Sequence, residues 1–130
     1  MIAAGIGCKR GATASDIEAA IHAALASARI ETDALDVIAT IEAKSAEAGI
    51  RTAAAKLGVT LMVVPELELF AANGRVETHS ERVAVLSGVG SVAEAAALAA
   101  AGPASTLIVP RLIVGAATCA LAATPPEAAP

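Results

Sequence analysis

Reactive and charged groups gather in one short stretch near the amino terminus. In Gly5-Ile6-Gly7-Cys8-Lys9-Arg10-Gly11, three glycines bracket a thiol and two cations. An apolar start, Met1 to Ala4, leads in as a strand, and Thr13-Ala14-Ser15-Asp16-Ile17-Glu18 follows as a helix start that Thr13 or Ser15 can cap. A strand that turns through glycines onto a helix N-terminus leaves backbone N–H groups pointing outward at the positive end of the helix dipole, and such donors receive anions. Lys9 and Arg10 add charge of the same sign, so the stretch suits a carboxylate or phosphate on a ligand. The same residues also fit a plain strand-to-helix turn with two solvated cations. Gly5-x-Gly7 lacks a glycine three positions on, where Arg10 stands, so the dinucleotide fingerprint is incomplete.

Cys8 beside Lys9, Arg10 and a helix start is expected to have a lowered pKa. A cysteine nucleophile needs a base, and only His22 and His79 could serve. Neither has a diagnostic spacing, so a structural or ligand-contacting Cys8 is favoured over a catalytic one. Two further stretches could face a ligand. Gly88-Val89-Gly90-Ser91 enters another helix, with Ser91 and Glu94 at capping-box spacing. Arg111, placed just after an apolar strand, is expected at the end of the sheet. No metal-binding cluster and no cofactor motif is present in the sequence.

The elements that would position these residues alternate between strand and helix patterns. Residues 2–7 read as a first strand. The predicted helix over 15–28 starts at Ser15 with Glu18 three residues on, and its apolar stripe is Ile17, Ala20, Ile21, Ala24, Leu25 and Ala28. His22 falls beside that stripe and reads as a surface histidine. Residues 35–41 form a β-branched run and a second strand. A helix over 45–57 buries Ile50, Ala53, Ala54 and Leu57 and stops at Gly58. Residues 59–64 read as an interior strand, because the run is apolar throughout. Pro65 opens a short helix ending near Asn73-Gly74. Residues 75–87 are the least legible, read as an irregular connection with a short helix or as a loop over the site. An alanine-rich helix then runs to Ala101 and ends at Gly102-Pro103. Residues 105–109 and 118–122 are the last two strands, separated by a break over 110–116 and paired antiparallel through that short connection. The expected fold is a three-layer α/β/α domain over residues 1–123, with a mixed, mostly parallel sheet of about five strands and a disordered tail at 124–130. Ligands on such sheets sit beyond the carboxyl ends of the strands, where both glycine turns fall.

Composition excludes several classes. The 130 residues suit one domain, and 36 of them are alanine, so the 56% hydrophobic content overstates the bulky apolar surface. The most apolar window, 107–123, is broken by Pro110, Arg111 and Gly115, so no spanning helix is expected. No signal-peptide pattern opens the chain, and a cytoplasmic protein is the expectation. A net charge of −4, with Phe70 as the single aromatic residue, argues against a nucleic-acid surface. Cys8 and Cys119 read as free thiols, Cys119 as a small buried hydrophobe. With no heptads and no aromatic patch, a monomer or weak dimer is expected.

Three stretches together resemble the CobE/CbiG C-terminal family of cobalamin biosynthesis: Gly5-Ile6-Gly7-Cys8-Lys9-Arg10-Gly11, then Gly90-Ser91-Val92-Ala93-Glu94-Ala95-Ala96-Ala97-Leu98, then Thr118-Cys119-Ala120-Leu121-Ala122. They occur in the family's order and cover nearly the whole chain. The resemblance implies a role in building the corrin ring, with a precorrin or cobalt-precorrin as the bound molecule and other enzymes of the corrin pathway as possible partners. Longer family members open a lactone on cobalt-precorrin-5A with loss of acetaldehyde. This sequence begins at the first motif with no preceding domain, which favours the stand-alone form over the hydrolase. A non-catalytic partner subunit is the third reading. Where the family pattern expects a lysine after the fourth strand, Arg111 keeps the charge. Corrin intermediates carry acetate and propionate groups, and helix N-termini with Lys and Arg suit carboxylates.

Overall fold

The computed structural model describes residues 1–73 and 92–124. Its sheet holds five strands: β1 (Ile2–Cys8), β2 (Val37–Ile41), β3 (Thr60–Val64), β4 (Thr106–Val114) and β5 (Ala117–Ala123), in the spatial order β3-β2-β1-β5-β4. β1 pairs parallel to β2, and β2 to β3. β5 runs antiparallel to both β1 and β4. Four strands therefore point one way, and β5 returns between β1 and β4. Helices α1 (Ala14–Ser27) and α2 (Ala48–Leu57) cover one face, while α3 (Glu66–Asn73) and α4 (Val92–Ala101) cover the other. This is the expected three-layer architecture.

Helix α1 shows why the elements form where they do. Thr13 is extended at φ −81° and ψ 163°, and its Oγ1 accepts the Asp16 N–H at 3.1 Å. Asp16 Oδ2 accepts the Thr13 N–H at 3.0 Å, closing the capping box. The cap is thus Thr13 with Asp16, not Ser15 with Glu18: Ser15 is already inside the first turn. The stripe Ile17, Ala20, Ile21, Ala24 and Leu25 is buried as its spacing requires. Each of its three large side chains contributes roughly 1.5–3 kcal/mol by leaving water. Ala28 is only half-buried, where the helix has ended.

Other boundaries move for physical reasons. α2 begins at Ala48, because residues 42–44 first form a separate 3-10 turn. β3 is an edge strand with Thr60 and Val63 exposed, not an interior one. An apolar run reads alike in either place, since α2 and α4 shield it in part. β4 continues through Pro110 and Arg111 to Val114, where a break was expected. It lies at the other edge, where proline's missing N–H breaks no ladder bond, and the register slips between Leu107 and Leu112 absorb the irregularity. Residues 75–87 lie outside the described residues. So does the expected tail, apart from Thr124, whose Oγ1 accepts the N-terminal ammonium of Met1 at 2.8 Å.

Candidate functional site

Because β1, β2, β3 and β4 share a direction, Cys8, Ile41, Val64 and Val114 all finish on one edge of the sheet. The turn of residues 9–12 stands on that edge. Its fastenings come from three places in the chain. The Lys9 N–H donates to Ala116 O at 2.8 Å, tying the turn to the β4–β5 hairpin. The Ala12 N–H donates back to Lys9 O at 3.1 Å. The Gly11 N–H donates to Glu47 Oε2 at 3.2 Å, tying the turn to the start of α2. Gly11 sits at φ 79°, a conformation that a side chain would strain. Lys9, Arg10 and Gly11 are exposed, so both cations project from a turn that is itself fixed.

These fastenings bear directly on the expected anion receiver. Of the N–H groups from Gly11 to Asp16, Gly11 serves Glu47, Ala12 serves Lys9, and Thr13 and Asp16 serve each other. Among the described residues, Ala14 and Ser15 are left to face outward at the helix mouth. The cations are therefore the main receivers that the turn presents.

Gly5 and Gly7 are used in packing. Gly5 is buried beneath α4, and a Cβ there would overlap the Ala93 carbonyl oxygen and lie 2.7 Å from Ala97 N. Gly7 pairs with Thr118, whose hydroxyl donates to Gly7 O at 3.2 Å. Cys8 ends β1, half-buried. Its thiol pKa is raised, not lowered: desolvation dominates, Lys44 pulls it down and Glu47 pushes it up. The sequence placed Lys9 and Arg10 beside Cys8, but the charges that the thiol senses come from residues 44 and 47. His22 is exposed well along α1, in a cleft with Arg29 and Glu31. Burial pushes the Cys119 thiol up to about 12.

Arg111 is not at the end of β4 but three residues inside it, next to the bulge, where its N–H donates to Glu94 Oε2 at 2.9 Å. Glu94, in the first turn of α4, is fully buried. Gly88, Gly90, Ser91 and His79 lie outside the described residues, as does the capping contact expected of Ser91.

Sequence reasoning passed over Glu47, which reaches the turn from the start of α2, and Lys44, whose charge acts on Cys8 from the β2–α2 connection. It also passed over a cleft of about 230 Å³ between the ends of β2 and β3, lined by Ile41, Glu42, Ala43, Val64, Glu66 and Leu69. Two carboxylates on its walls make that cleft a poor receiver for an anion, in contrast to the cationic turn. The available signal was position: each of these residues ends a strand of the parallel set or lies in the segment that follows one. Among the described residues, no three His, Cys, Asp or Glu side chains gather as a metal site would need, and no helix is long and apolar enough to cross a membrane.

Comparison with known proteins agrees with this architecture. Protein CobE from Sinorhizobium sp. is 35% identical over 118 residues, covering 91% of this chain and 77% of its own. A crystal structure of CobE, a protein from the cobalamin (vitamin B12) biosynthetic pathway, superposes with a TM-score of 0.90 at 31% identity, over 98% of this chain and 93% of that one. Cobalt-precorrin-5A hydrolase from Priestia megaterium is 30% identical over 102 residues, 78% of this chain but only 27% of that enzyme. The family model for the cobalamin synthesis G C-terminus matches residues 2–122, and this chain belongs to that family of cobalamin biosynthesis proteins.

Proposed function

We propose that the protein binds a precorrin or cobalt-precorrin intermediate at the carboxyl edge of its sheet, with Lys9 and Arg10 receiving the acetate and propionate carboxylates of the ring. The observation that carries this reading is the pair of exposed cations on a turn fastened to the β4–β5 hairpin, to α2 and to itself. A fixed turn presents both charges without a backbone ordering cost, which favours a rigid polyanion. Family membership supports the pathway. Ligand contacts at Gly88, Gly90 and Ser91 remain part of the proposal, as does a role for Arg111 through the position of its strand.

Hydrolysis of a lactone is the second reading, favoured by the partial match to cobalt-precorrin-5A hydrolase. The raised Cys8 pKa weighs against a thiolate nucleophile in this chain. Incubation with cobalt-precorrin-5A and an assay for acetaldehyde separates the two readings.

Binding is tested by absorbance titration of a porphyrin bearing acetate and propionate groups into wild type and the double variant Lys9→Ala/Arg10→Ala. Both side chains are exposed, so stability should shift by no more than about 0.5 kcal/mol. Affinity should fall by about 1.5–3 kcal/mol for each charge-assisted hydrogen bond lost. Added salt should weaken the wild type more steeply than the variant. Equal affinities with equal salt dependence would refute the assignment of the turn.

A further inference from the structure

Glu47 stands where its own helix gives it no reason to be. It is the N-cap residue of α2, a position whose side chain commonly accepts an N–H from the first turn of the same helix. It makes no such bond. Its carboxylate instead crosses to the turn after β1 and accepts the Gly11 N–H, 36 positions away in the chain. The crossing is built into the backbone. Gly49, in the first turn of α2, packs so closely that a Cβ would run into the Ala12 carbonyl oxygen. The Glu47 N–H is held by Lys44 O at 3.0 Å, and the Arg51 Nε–H by Ser45 O at 2.7 Å. The start of α2 is thus packed against the turn, which puts the Glu47 carboxylate within reach of Gly11 while its side chain stays free to rotate away.

The sequence around that donor is cationic. Lys9 and Arg10 directly precede Gly11 in the chain, and Lys44 and Glu47 both act on the Cys8 thiol, with opposite signs. A glutamate carboxylate and a ring acetate are the same chemical group. We propose that Glu47 is a built-in placeholder, which occupies the Gly11 N–H in the ligand-free protein and is displaced when a ligand carboxylate takes that donor. This rests on the binding reading above and adds a competition to it. One N–H cannot serve two carboxylates, and two anions side by side repel, so Glu47 must swing out before the ring docks. The exchange keeps the donor satisfied in both states and sets a threshold against small anions, because a ligand with one carboxylate gains little over the group it replaces. A ligand with several carboxylates gains its additional contacts at Lys9 and Arg10.

The test uses Glu47→Gln, which keeps shape and an acceptor but loses the charge, and the same acetate- and propionate-bearing porphyrin. The variant should bind about fivefold more tightly, as expected when a neutral hydrogen bond replaces a charge-assisted one as the competitor. The Gly11 amide resonance, followed by NMR, should differ between the two free proteins and coincide once both are saturated, because the side chain at 47 has then left. Weaker or equal binding by the variant, or Gly11 resonances that stay apart in the saturated proteins, would overturn the placeholder while leaving the binding reading in place. Absence of porphyrin binding by both proteins would overturn the two together.

Discussion

Gly5→Ala should damage this fold more than any other single methyl added along β1. Gly5 lies in the middle of the strand and faces α4. A Cβ there would overlap the Ala93 carbonyl oxygen, with the Ala93 carbonyl carbon at 2.9 Å and Ala97 N at 2.7 Å. All three atoms are backbone, so no rotamer change relieves the clash, and α4 must retreat by on the order of 1 Å to restore ordinary contact. Its buried surface is mostly methyl groups: Ala93, Ala95, Ala96, Ala97, Ala100 and Ala101 are buried, with Leu98 and Glu94 the large side chains among them. Methyl groups cannot stretch across a gap, and a radial gap of about 0.5–1 Å already forfeits a quarter to a half of each contact. Overpacking costs about 1–3 kcal/mol, and a backbone obstacle puts this case at the upper end, about 3 kcal/mol. That is a large share of the roughly 5–15 kcal/mol that holds a domain folded. With no Trp or Tyr in the chain, urea unfolding is followed by far-ultraviolet circular dichroism. Gly7→Ala is the control, since its Cβ would press at 2.7 Å on the Thr118 hydroxyl, a side-chain atom that can rotate. A Gly5→Ala midpoint equal to that of wild type would refute the packing argument, and a stable variant that lost only porphyrin binding would return Gly5 to the ligand site.

Two further outcomes are expected. In the unfolded chain a thiol ionises at about 8.5, while burial pushes Cys119 up to about 12. The folded state keeps its proton longer, so this contribution is intact below the unfolded value and fades as pH rises toward 12, a loss of about 2 kcal/mol by pH 10. Cys119→Ala should remove that part of the alkaline loss in urea unfolding at pH 7 and pH 10, and an identical loss in both proteins would count against it. Arg29 follows the C-cap of α1 at φ 56°, with its N–H on Ala26 O at 3.1 Å and the Ile30 N–H on Leu25 O at 2.9 Å, the closing pattern that glycine usually fills. Arg29→Gly should therefore stabilise the protein by about 0.5–1 kcal/mol, strain relief outweighing the added freedom of the unfolded chain, and a lower melting temperature would contradict this.

What could be read in the sequence was what short-range chemistry decides. The glycine turn, the α1 stripe, the stop at Gly58 and the antiparallel pairing of the last two strands each follow from residues a few positions apart. The alanine richness of residues 92–101 also signalled close packing, although its counterpart, Gly5, read as part of a ligand turn. The misreadings share a cause, which is that a residue's partner lies far away in the chain. Nothing local says that β3 and β4 are edges, so an apolar run passed for an interior strand and Pro110 passed for a break. Nothing near Cys8 shows that burial outweighs the adjacent cations. The turn is the sharpest case. Its donors looked free because the carboxylate on Gly11 comes from residue 47, after an intervening helix and strand. Local sequence could identify a place suited to an anion, and only the fold reveals that the chain has supplied one of its own. Under the placeholder proposal, a ligand at the turn must bring more negative groups than Glu47 offers, and must reach Lys9 and Arg10 at the same time. On that proposal a polycarboxylate ring meets both conditions and a small monocarboxylate does not, so the Glu47–Gly11 contact sets the size and charge of the ligand to be tested.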